Sequence, residues 1–528
     1  MLNLIQGSSN SKEFHLLDEL LDTLWNFDLK PGFELMGNPS DKFNDFSDPE
    51  VLDEWYKLLQ DLVLRYMNRY GEAWVKHWKF ETWNEPDHKD FCNVNFTTSS
   101  YLRYFDASIS ALKSISKKLI LGGPGGSCRH PHFVKFCFAL LEHVENGVNS
   151  YNASILPSLD FFSFHKKGDG QNMDVIISME KKTLNEVRTL FPKTELMPVV
   201  NDEADPLKGW WKSKIWRAGV EYAIFIAENI ENHKAEYVDR GDDRFKLLSN
   251  DNAFFSYPPS QFTQRTILAR FPKSNTSYSG SFFIKKPVYN FMTLQSFISG
   301  TWLNITNQPG ITMYGSQRRE KDMYFKWTSA IIVASRNVSL PTELKVHLTK
   351  IPMGPLLYRI LSISDEESRN PYKQWIKMGK PVQLSSDQKK LLLESSQLAW
   401  SPSQHLQVSN FSSVFHLVLN RACVQVLLLC SLHPVLLPPQ PNTLLLNPLA
   451  SGLLITFRFP HFTSCLSFSV EWSPFSPLSG FSVLTNVLLD LSYQLLKPRR
   501  GWYRVRAIDI SGRKGFPTVS KYWAANAQ

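Results

Sequence analysis

The stretch Phe80-Glu81-Thr82-Trp83-Asn84-Glu85-Pro86-Asp87 decides the fold, because a strand-like apolar run here ends in Asn-Glu-Pro. A second stretch, Val199-Val200-Asn201-Asp202-Glu203-Ala204-Asp205-Pro206, repeats the order of apolar strand, carboxylate and proline-ended loop. Carboxylates at strand ends are typical of the catalytic edge of (β/α)8 enzymes. Two of them suit glycoside cleavage, in which one protonates the leaving oxygen and the other meets the sugar cation. A solvated loop acid would explain either glutamate alone, but the matching contexts favour catalysis.

Strand-like and helix-like segments alternate around these two stretches. Apolar runs predict six strands, with helices of about 12 to 20 residues between them. The six strands are predicted over residues 33–36, 78–84, 118–122, 159–164, 196–201 and 245–250. This alternation predicts a parallel sheet with crossover helices. Beyond about residue 302, strands such as Phe325–Ser335 and Glu343–Leu348 follow one another between turn signals, which predicts an antiparallel sandwich.

Length and composition indicate a large globular chain. Its 528 residues are 43% hydrophobic and include 31 prolines and 15 tryptophans, which predicts two to four domains. The net charge of +9 suits a polyanionic partner, but it also suits nucleic acid or a membrane face. The sequence has no compact Lys/Arg run, no phosphate-binding glycine loop and no zinc-type cysteine spacing. Charge alone therefore leaves the partner open.

Several separated stretches carry a resemblance to a known family. They are Pro31–Gly37, Phe80–Asp87, Leu121–Gly125, Asn201–Leu207, Leu247–Phe254 and Gln264–Thr266. In order and spacing they resemble glycoside hydrolase family 39, which contains lysosomal α-L-iduronidases and bacterial β-xylosidases. The resemblance covers roughly residues 15 to 425 well and the last hundred residues more weakly.

The resemblance implies a (β/α)8 TIM barrel followed by a β-sandwich and a fibronectin type III-like sandwich. Residues 32–37 resemble the family's third barrel strand, so we expect the first two strands to be missing and read the chain as a truncated isoform or an incomplete gene model. The expected domains are a partial barrel over 1–302, a β-sandwich over 303–422, a Leu/Pro-rich insert over 423–450 and a fibronectin type III-like domain over 451–528. Tyr503 is the candidate corner tyrosine of the last domain.

Residues 422–457 contain no Lys, Arg, Asp or Glu. A membrane helix would explain this run, but Gln425, His433 and five prolines argue against one. We interpret the segment as a translated intron and predict no membrane span. The N-terminus shows no signal peptide, whereas the resemblance implies a lysosomal enzyme.

Two glutamates carry the expected chemistry. Glu85 is the candidate general acid/base, a role that calls for a raised pKa. Glu203 is the candidate nucleophile and has to stay ionised. The resemblance assigns these roles to the ends of the fourth and seventh strands and gives Asn84 a hydrogen bond to the sugar 2-hydroxyl. For a retaining enzyme we expect the two carboxyl groups to lie about 5 to 5.5 Å apart.

A uronate substrate brings its own carboxylate, which the site has to neutralise. Arg265 is the strongest candidate because its guanidinium binds a carboxylate with two hydrogen bonds. A helix charge or surface ion pair is the alternative for Arg265. Lys167 and the backbone of Gly209 match other contacts of the family.

Four further residues have two open interpretations each. Asp251 either grips ring hydroxyls or forms an Asx turn, and His165 either donates from the pocket floor or is a core histidine. Trp210 either stacks on the sugar or is simply buried. Asp205 either orients the loop after the nucleophile or pairs with a lysine.

The six cysteines are too few for a disulfide scaffold, and none stands in a catalytic motif with histidine. The resemblance implies one disulfide, between Cys423 and Cys465. Six Asn-x-Ser/Thr tripeptides are candidate glycosylation sites. They begin at Asn95, Asn152, Asn275, Asn304, Asn337 and Asn410.

The predicted function is that of a retaining exo-glycosidase that removes terminal α-L-iduronic acid from dermatan and heparan sulfate. No metal or organic cofactor is expected, and the expected partner is a sulfated glycosaminoglycan rather than nucleic acid. A β-xylosidase is one alternative, although neutral xylose offers Arg265 and Lys167 no charged partner. The others are an inactive truncated fragment and a non-catalytic glycosaminoglycan-binding protein.

Overall fold

A computed structural model describes the chain over residues 2–8, 11–88, 94–129, 135–209, 211–250, 252, 255–272, 281–319, 324–336, 342–419, 422–432, 435–449, 452–459 and 465–524. The chain forms two compact units. The first comprises residues 1–208 and 232–251, and the second comprises residues 209–231 and 252–528.

The first unit is built on a parallel sheet of six strands in consecutive order, β3 to β8. A short hairpin, β1 (Gln6–Ser8) and β2 (Ser11–Glu13), precedes it. The sheet strands are β3 (Gly32–Glu34), β4 (Lys79–Glu81), β5 (Ile120–Gly123), β6 (Phe161–Phe164), β7 (Val199–Asn201) and β8 (Phe245–Leu248). All six predicted strands are present, and the parallel sheet is confirmed.

Helices connect these strands. They are α1 (His15–Asn26), α2 (Pro49–Tyr70), α3 (Glu72–Val75), α4 (Thr98–Ile115), α5 (Lys135–Asn146) and α6 (Asp174–Leu190). Helix α2 shows why such segments are helical. The side chain of Asp48 caps it by accepting from the N–H of Glu50, and its buried side chains recur every three or four residues.

The core of the first unit is rich in aromatic residues. Trp55 of α2 and Trp78, Phe33 and Phe80 at the start of β3 and β4 are fully buried. These closely packed side chains exclude water and give the polar residues at the strand ends a rigid base.

The second unit consists mainly of antiparallel sheets. Its elements up to residue 432 are α7 (Val220–His233, which ends in the first unit), β9 (Leu268–Phe271), β10 (Phe282–Lys285), α8 (Pro287–Gln295), β11 (Thr301–Trp302), β12 (Thr312–Arg319), β13 (Phe325–Ser335), β14 (Thr342–Thr349), β15 (Leu356–Ser364), α9 (Pro371–Lys377), α10 (Ser386–Ser395), β16 (Ala399–Trp400), β17 (Gln404–Leu406), β18 (Ser412–Leu419) and β19 (Cys423–Leu432). Seven strands form one sheet in the order β11-β12-β13-β19-β15-β16, with β17 also paired to β15. The pair β14–β18 covers one face of that sheet, and α7 and α8 cover the other.

The predicted insert is wrong for its first ten residues, because Cys423–Leu432 is strand β19 at the centre of the seven-stranded sheet. It pairs with β13 on one side and β15 on the other. Both of its faces are covered, since Val424 and Val426 contact the helical side and Leu427 and Leu429 contact the β14–β18 side. A strand covered on both faces favours apolar residues along its length, which explains why Cys423–Leu432 carries no charged side chain.

The last part of the second unit has a three-stranded and a four-stranded sheet around one core. The strands are β20 (Thr443–Leu449), β21 (Gly452–Arg458), β22 (Leu466–Ser473), β23 (Ser482–Leu488), β24 (Ser492–Leu495), β25 (Trp502–Asp509) and β26 (Thr518–Val519). Tyr503 is fully buried, and its hydroxyl donates to the carbonyl of Arg499 at 2.8 Å and accepts from the N–H of Arg499 at 3.0 Å. Strand β20 also comes from the predicted insert.

The predicted disulfide Cys423–Cys465 is wrong, because Cys465 bonds to Cys430. Cys423 and Cys430 lie seven positions apart on β19, and an odd separation places side chains on opposite faces of a strand. Cys430 therefore faces the C-terminal core that contains Cys465, while Cys423 is a buried thiol on the other face. A second disulfide joins Cys128 and Cys137 in the first unit.

The predicted barrel domain over 1–302 does not form one unit, since residues 209–231 and 252–302 belong to the second. The physical reason is that α7 and α8 bury their apolar faces with β13, β15 and β19 of the seven-stranded sheet. Among the described residues, no helix is both long and apolar enough to cross a membrane.

Candidate active site

The candidate site lies at the carboxyl ends of the parallel strands in the first unit. Glu85 follows β4 by four residues, His165 comes directly after β6, and Glu203 follows β7 by two residues. Because carboxyl ends of parallel strands meet at one edge of a sheet, the three side chains converge there.

The backbone of Glu85 adopts an unusual conformation, with φ at +39°. Its N–H donates to the carbonyl of Gly125 at 2.7 Å, and its carbonyl accepts from the N–H of His88 at 2.8 Å. A non-glycine residue at positive φ is strained, and such strain concentrates at functional sites where the surroundings hold it. These two hydrogen bonds fix the backbone of Glu85 and therefore the direction of its side chain.

Glu85 and Glu203 face each other with His165 beside both. One carboxylate oxygen of each glutamate and one ring nitrogen of His165 lie within 4.8 Å of one another. Nδ1 of His165 lies 2.7 Å from Oε1 of Glu85 and 3.6 Å from Oε2 of Glu203. The imidazole is almost wholly buried, whereas the glutamate side chains are 17% and 14% exposed. The carboxylates are therefore open to a ligand and the histidine beneath them is not.

Lys167 supplies the positive charge at this edge. Its ammonium forms an ion pair with Oε2 of Glu203. Glu85, His165 and Glu203 are also close enough to ligate a cation, but the ammonium already neutralises one of these carboxylates. In the unliganded site, Lys167 and His165 together hold both glutamates in place.

The pKa of Glu85 differs from the sequence expectation. Burial acts to raise it, but the hydrogen bond and charge of His165 and the charge of Lys167 lower the pKa of Glu85 to about 2. The same arrangement raises the pKa of His165 well above its usual value, because Asp202, Glu85 and Glu203 outweigh the effect of burial. In the empty site the proton shared by these two groups therefore rests on His165, and Glu85 is ionised.

A second layer of carboxyl groups lies under the pair. Nε2 of His165 is 3.6 Å from Oδ1 of Asp202. Burial and the charge of Asp202 raise the pKa of Glu81 well above its usual value, while the charge of His165 overcomes burial and lowers the pKa of Asp202. Glu81 is therefore protonated and Asp202 ionised, so a chain of polar contacts runs from Glu81 through Asp202 and His165 to Glu85.

Glu34 ends β3 beside Glu81, its partner in the parallel register. Burial, with the charges of Asp202 and Glu203, raises the pKa of Glu34 to about 7. Below pH 7, where Glu34 and Glu81 are both mainly neutral, three carboxylates (Glu85, Asp202 and Glu203) face two cations (His165 and Lys167). This near balance allows five acidic residues to share one edge of the sheet.

Buried amide and carboxylate contacts fix the loops that carry His165 and Glu203. The amide of Asn201 donates to the carbonyl of Lys166 at 3.1 Å and to Glu180 at 2.6 Å, and its oxygen accepts from the N–H of Lys166 at 3.2 Å. Asp205 is fully buried, its carbonyl accepts from the N–H of Gly168, and its carboxylate accepts from the N–H of Leu207. These bonds connect the loop after Glu203 to the loop after His165.

The other predicted site residues are distributed as follows. Asn84 is buried next to Glu85 in the first unit, whereas Arg265 and Gly209 lie in the second. Arg265 is buried in the loop before β9, and the carbonyl of Gly209 accepts from Arg217 at 3.3 Å. Trp210 and Asp251 lie outside the described residues. Four candidate glycosylation residues, Asn95, Asn152, Asn304 and Asn410, are exposed, while Asn275 and Asn337 lie outside the described residues.

Sequence reasoning missed Glu34, Glu81 and Asp202. Each is an acid within or directly after an apolar strand run, where a charge is costly to bury. That conflict was the available signal, but only the fold shows that Glu34 and Glu81 lie close enough to Asp202 for its charge to raise the pKa of both.

Comparisons with known proteins identify the family of the chain. The model of the family "Glycosyl hydrolases family 39" matches residues 6–404, about three quarters of the chain. The chain belongs to this family. It is 34% identical to an α-L-iduronidase of Mus musculus, covering 96% of this chain and 83% of that protein. It is 33% identical to the Homo sapiens α-L-iduronidase, over 96% of this chain and 81% of that protein.

Solved structures show the same fold. A bacterial orthologue of human α-L-iduronidase matches with a TM-score of 0.86 at 24% identity, covering 98% of this chain and 90% of its own. A monomeric β-xylosidase from Caulobacter crescentus matches with a TM-score of 0.61 at 19% identity, over 81% of this chain and 87% of its own. The family 39 chain is therefore a glycosidase whose parallel sheet is accompanied by further sheets.

Proposed function

We propose that this chain is a retaining exo-glycosidase that removes terminal α-L-iduronic acid. One observation carries the proposal: Glu85 and Glu203 meet at the ends of β4 and β7 with carboxylate oxygens within 4.8 Å. Retaining glycosidases keep their two carboxyl groups about 5 to 5.5 Å apart, whereas inverting enzymes need about 6.5 to 9.5 Å to admit a water.

In the first step, a carboxylate oxygen of Glu203 attacks the anomeric carbon while Glu85 protonates the leaving oxygen. This forms a glycosyl ester on Glu203 and releases the shortened sugar chain as an alcohol. In the second step, Glu85 takes a proton from water, whose oxygen displaces Glu203 and frees the sugar. Asn84 is proposed to hold the sugar 2-hydroxyl.

The proton for the first step comes from His165. Before substrate binds, the proton rests on Nδ1 of His165, 2.7 Å from Oε1 of Glu85. A substrate carboxylate that draws Lys167 away from Glu203 also weakens the positive field on Glu85. The proton then moves to Glu85 as the leaving oxygen develops charge, and Glu203 is released as nucleophile.

The proposed uronate specificity rests on charge. Lys167 is a cation beside Glu203, and Arg265, the backbone of Gly209, Trp210 and Asp251 are proposed substrate contacts from the family resemblance. The α-L-iduronidases of two mammals share 33–34% of residues with this chain, whereas a β-xylosidase of Caldicellulosiruptor saccharolyticus shares 23%. This difference supports an iduronide over a xyloside.

The polymer and the compartment follow from the same proposal. Dermatan and heparan sulfate carry iduronate, and the family resemblance implies that the chain acts on them in the lysosome. Two disulfides, Cys128–Cys137 and Cys430–Cys465, support an oxidising route. The exposure of Asn95, Asn152, Asn304 and Asn410 fits glycosylation.

The finer architecture is also proposed. The six parallel strands correspond to the third to eighth positions of a (β/α)8 barrel, since the acid/base follows β4 and the nucleophile follows β7. The C-terminal seven strands are proposed to form a fibronectin type III-like sandwich. The hydrogen bonds of Tyr503 to Arg499, four residues upstream, support its role as corner tyrosine.

An aryl α-L-iduronide and an aryl β-D-xyloside test the function directly. We expect cleavage of the iduronide with the anomeric configuration retained, as followed by proton NMR before mutarotation. Glu203→Ala should abolish turnover, and azide should restore it to Glu203→Gly with an inverted glycosyl azide as product. Preferred cleavage of the xyloside would contradict the substrate assignment, and direct formation of the inverted sugar would contradict the mechanism.

A further inference from the structure

The positive charge of this chain is concentrated at its C-terminal end. Residues 451–528 contain nine lysines and arginines but three acidic residues, a net charge of +6 out of +9 for the whole chain. The first 450 residues, which hold the candidate active site, are nearly balanced. A charge excess confined to one small domain indicates a surface for a polyanion.

The three acidic residues in this range are already paired with cations. Glu471 binds Arg504 and Arg506, Asp509 binds Arg513, and Asp490 binds Lys285. Glu471 and Asp509 are also buried. Among the described residues, Lys497, Arg499, Arg500 and Lys521 form no ion pair with an acidic side chain.

Four of these basic residues, Lys497, Arg499, Arg500 and Lys521, are exposed at one end of the β22–β25 sheet. Two segments bring them together. The loop 497–501 leads into β25, and the segment 520–524 returns beside it, because Gly501 and Trp523 exchange backbone hydrogen bonds of 3.0 and 2.8 Å. We call these four residues, with Trp472, Trp502 and Tyr522, the basic end surface.

Aromatic residues hold one cation of the basic end surface, Arg499, and the backbone beside it. The guanidinium of Arg499 lies 5.1 Å from the ring centroid of Trp472, and the indole N–H of Trp472 donates to the carbonyl of Arg500 at 3.2 Å. The rings of Trp502 and Tyr522 meet edge to face at 4.7 Å. The buried hydroxyl of Tyr503 fixes the backbone of Arg499 through two hydrogen bonds. Cations held in place lose less conformational entropy when they bind an anion.

We propose that the basic end surface binds sulfated glycan chains at a site separate from the candidate catalytic residues. Guanidinium groups pair bidentately with compact oxyanions such as sulfate. Binding of single-stranded nucleic acid relies on open aromatic faces for base stacking. Here Arg499 covers a face of Trp472, and the rings of Trp502 and Tyr522 meet edge to face, so the four exposed cations offer more to a ligand than base stacking does. The choice of a glycan among polyanions rests on the proposed function, because its substrate is itself sulfated.

Binding is measured with a catalytically inactive Glu203→Ala chain, so the result does not depend on turnover. The probe is a fluorescent sulfated decasaccharide prepared from heparin, titrated by anisotropy at several salt concentrations. The test variant changes Lys497, Arg499, Arg500 and Lys521 to Gln. The control removes the same charge from the same unit by changing the exposed residues Lys345, Lys350, Lys380 and Lys390 to Gln.

The test variant should bind the decasaccharide at least tenfold more weakly and with a shallower salt dependence, while the control should change less than twofold. Both should unfold at the parent temperature, since the substitutions keep the backbone contacts of Arg499. Equal weakening by both variants, or no weakening by the test variant, would overturn the proposal. If the parent bound single-stranded DNA of the same charge with equal affinity, and the test variant lost both affinities in parallel, the surface would bind polyanions in general and the assignment to a glycan would be wrong.

The proposed activity is checked separately on an aryl iduronide with active enzyme. The test variant should cleave this small substrate at the parental rate, while its KM for a sulfated polymer rises. An inactive parent that still binds the decasaccharide would contradict the proposed function and leave the glycan-binding surface intact.

Discussion

His165 connects the two carboxylates at the surface to the acids buried beneath them. Its two ring nitrogens face different partners, Glu85 and Glu203 on one side and Asp202 on the other. A buried imidazole held between carboxylates keeps its proton to higher pH. The histidine therefore acts as the proton reserve of Glu85, and Asp202 sets how tightly that proton is held.

Asp202→Asn tests this arrangement. Without the charge of Asp202, the pair formed by His165 and Glu85 should bind its proton less tightly. The basic limb of the pH profile of kcat/KM should then move to lower pH by about one unit, typical of losing a neighbouring opposite charge. The control is Asp53→Asn on the outer face of α2. A lower rate with an unshifted profile would show that Asp202 has only a structural role.

Glu34 gives the folded protein a pH dependence of its own. Its pKa rises from 4.5 to about 7 on folding. Between these values the folded protein keeps a proton that the unfolded chain releases, so the free energy of unfolding falls as the pH rises through this window. The slope from this group is at most about 1.4 kcal/mol per pH unit.

Glu34→Gln should remove that slope. Urea unfolding at pH 5 and pH 7.5 should show a smaller loss of stability for the variant than for the parent, with the variant more stable than the parent at pH 7.5. The same pH difference in both proteins would contradict the raised pKa of Glu34.

At the residue scale, the sequence predicted the catalytic pair but not its support. Glu85 and Glu203 stand in motifs that follow strands, and such a context can be recognised in the amino-acid sequence alone. Glu81 and Asp202 matter because they meet across strands β4 and β7, which only the fold reveals. The ionised state of Glu85 was likewise beyond the sequence, since it arises from His165 and Lys167 on another loop.

At the element scale, β19 shows where composition misleads. Its leucine-rich, uncharged sequence was interpreted as an insert because it matched the family poorly, whereas burial on both faces explains it. The six parallel strands were predictable because short apolar runs alternate with strongly periodic helices. The division of the chain at residues 208 and 251 was not, since it follows from where α7 and α8 bury their apolar faces.

Strand β19 also predicts the behaviour of two cysteines. Cys430→Ser removes the disulfide to Cys465, 35 residues along the chain, and should destabilise the second unit by roughly 3 to 4 kcal/mol. Cys423→Ser, on the opposite face, leaves that disulfide in place and should cost less. Thermal unfolding with and without reductant separates the two variants. If the Cys430→Ser protein unfolded at the parent temperature and reductant lowered that temperature, Cys465 would be paired with Cys423 and not with Cys430.

At the scale of the whole molecule, the candidate catalytic groups and the excess positive charge belong to different parts of the chain. The first unit holds Glu85, His165, Lys167 and Glu203, with cations and anions nearly balanced. The last 78 residues hold most of the net charge. An enzyme on a sulfated polymer gains from this division, because a strongly positive catalytic site would bind any anion, whereas a cationic surface formed by other residues retains the polymer without occupying the catalytic residues.

Substrate selection is a property of the whole chain, and substitution of Arg265 is its sharpest test. If its guanidinium recognises the uronate carboxylate, Arg265→Ala should lower kcat/KM on an aryl iduronide by about 10²-fold or more, as expected for losing a charge-assisted pair. On the analogue whose carboxylate is reduced to an alcohol, the parent has already lost that pair, so the same substitution should change the rate little. Arg265→Lys keeps the charge but not the planar guanidinium, so its kcat/KM on the iduronide should lie between the values of the parent and of Arg265→Ala. Because Arg265 is buried, thermal unfolding of each variant accompanies the kinetics. Equal losses on both substrates would assign Arg265 to the structure of the second unit and leave Lys167 as the candidate uronate partner.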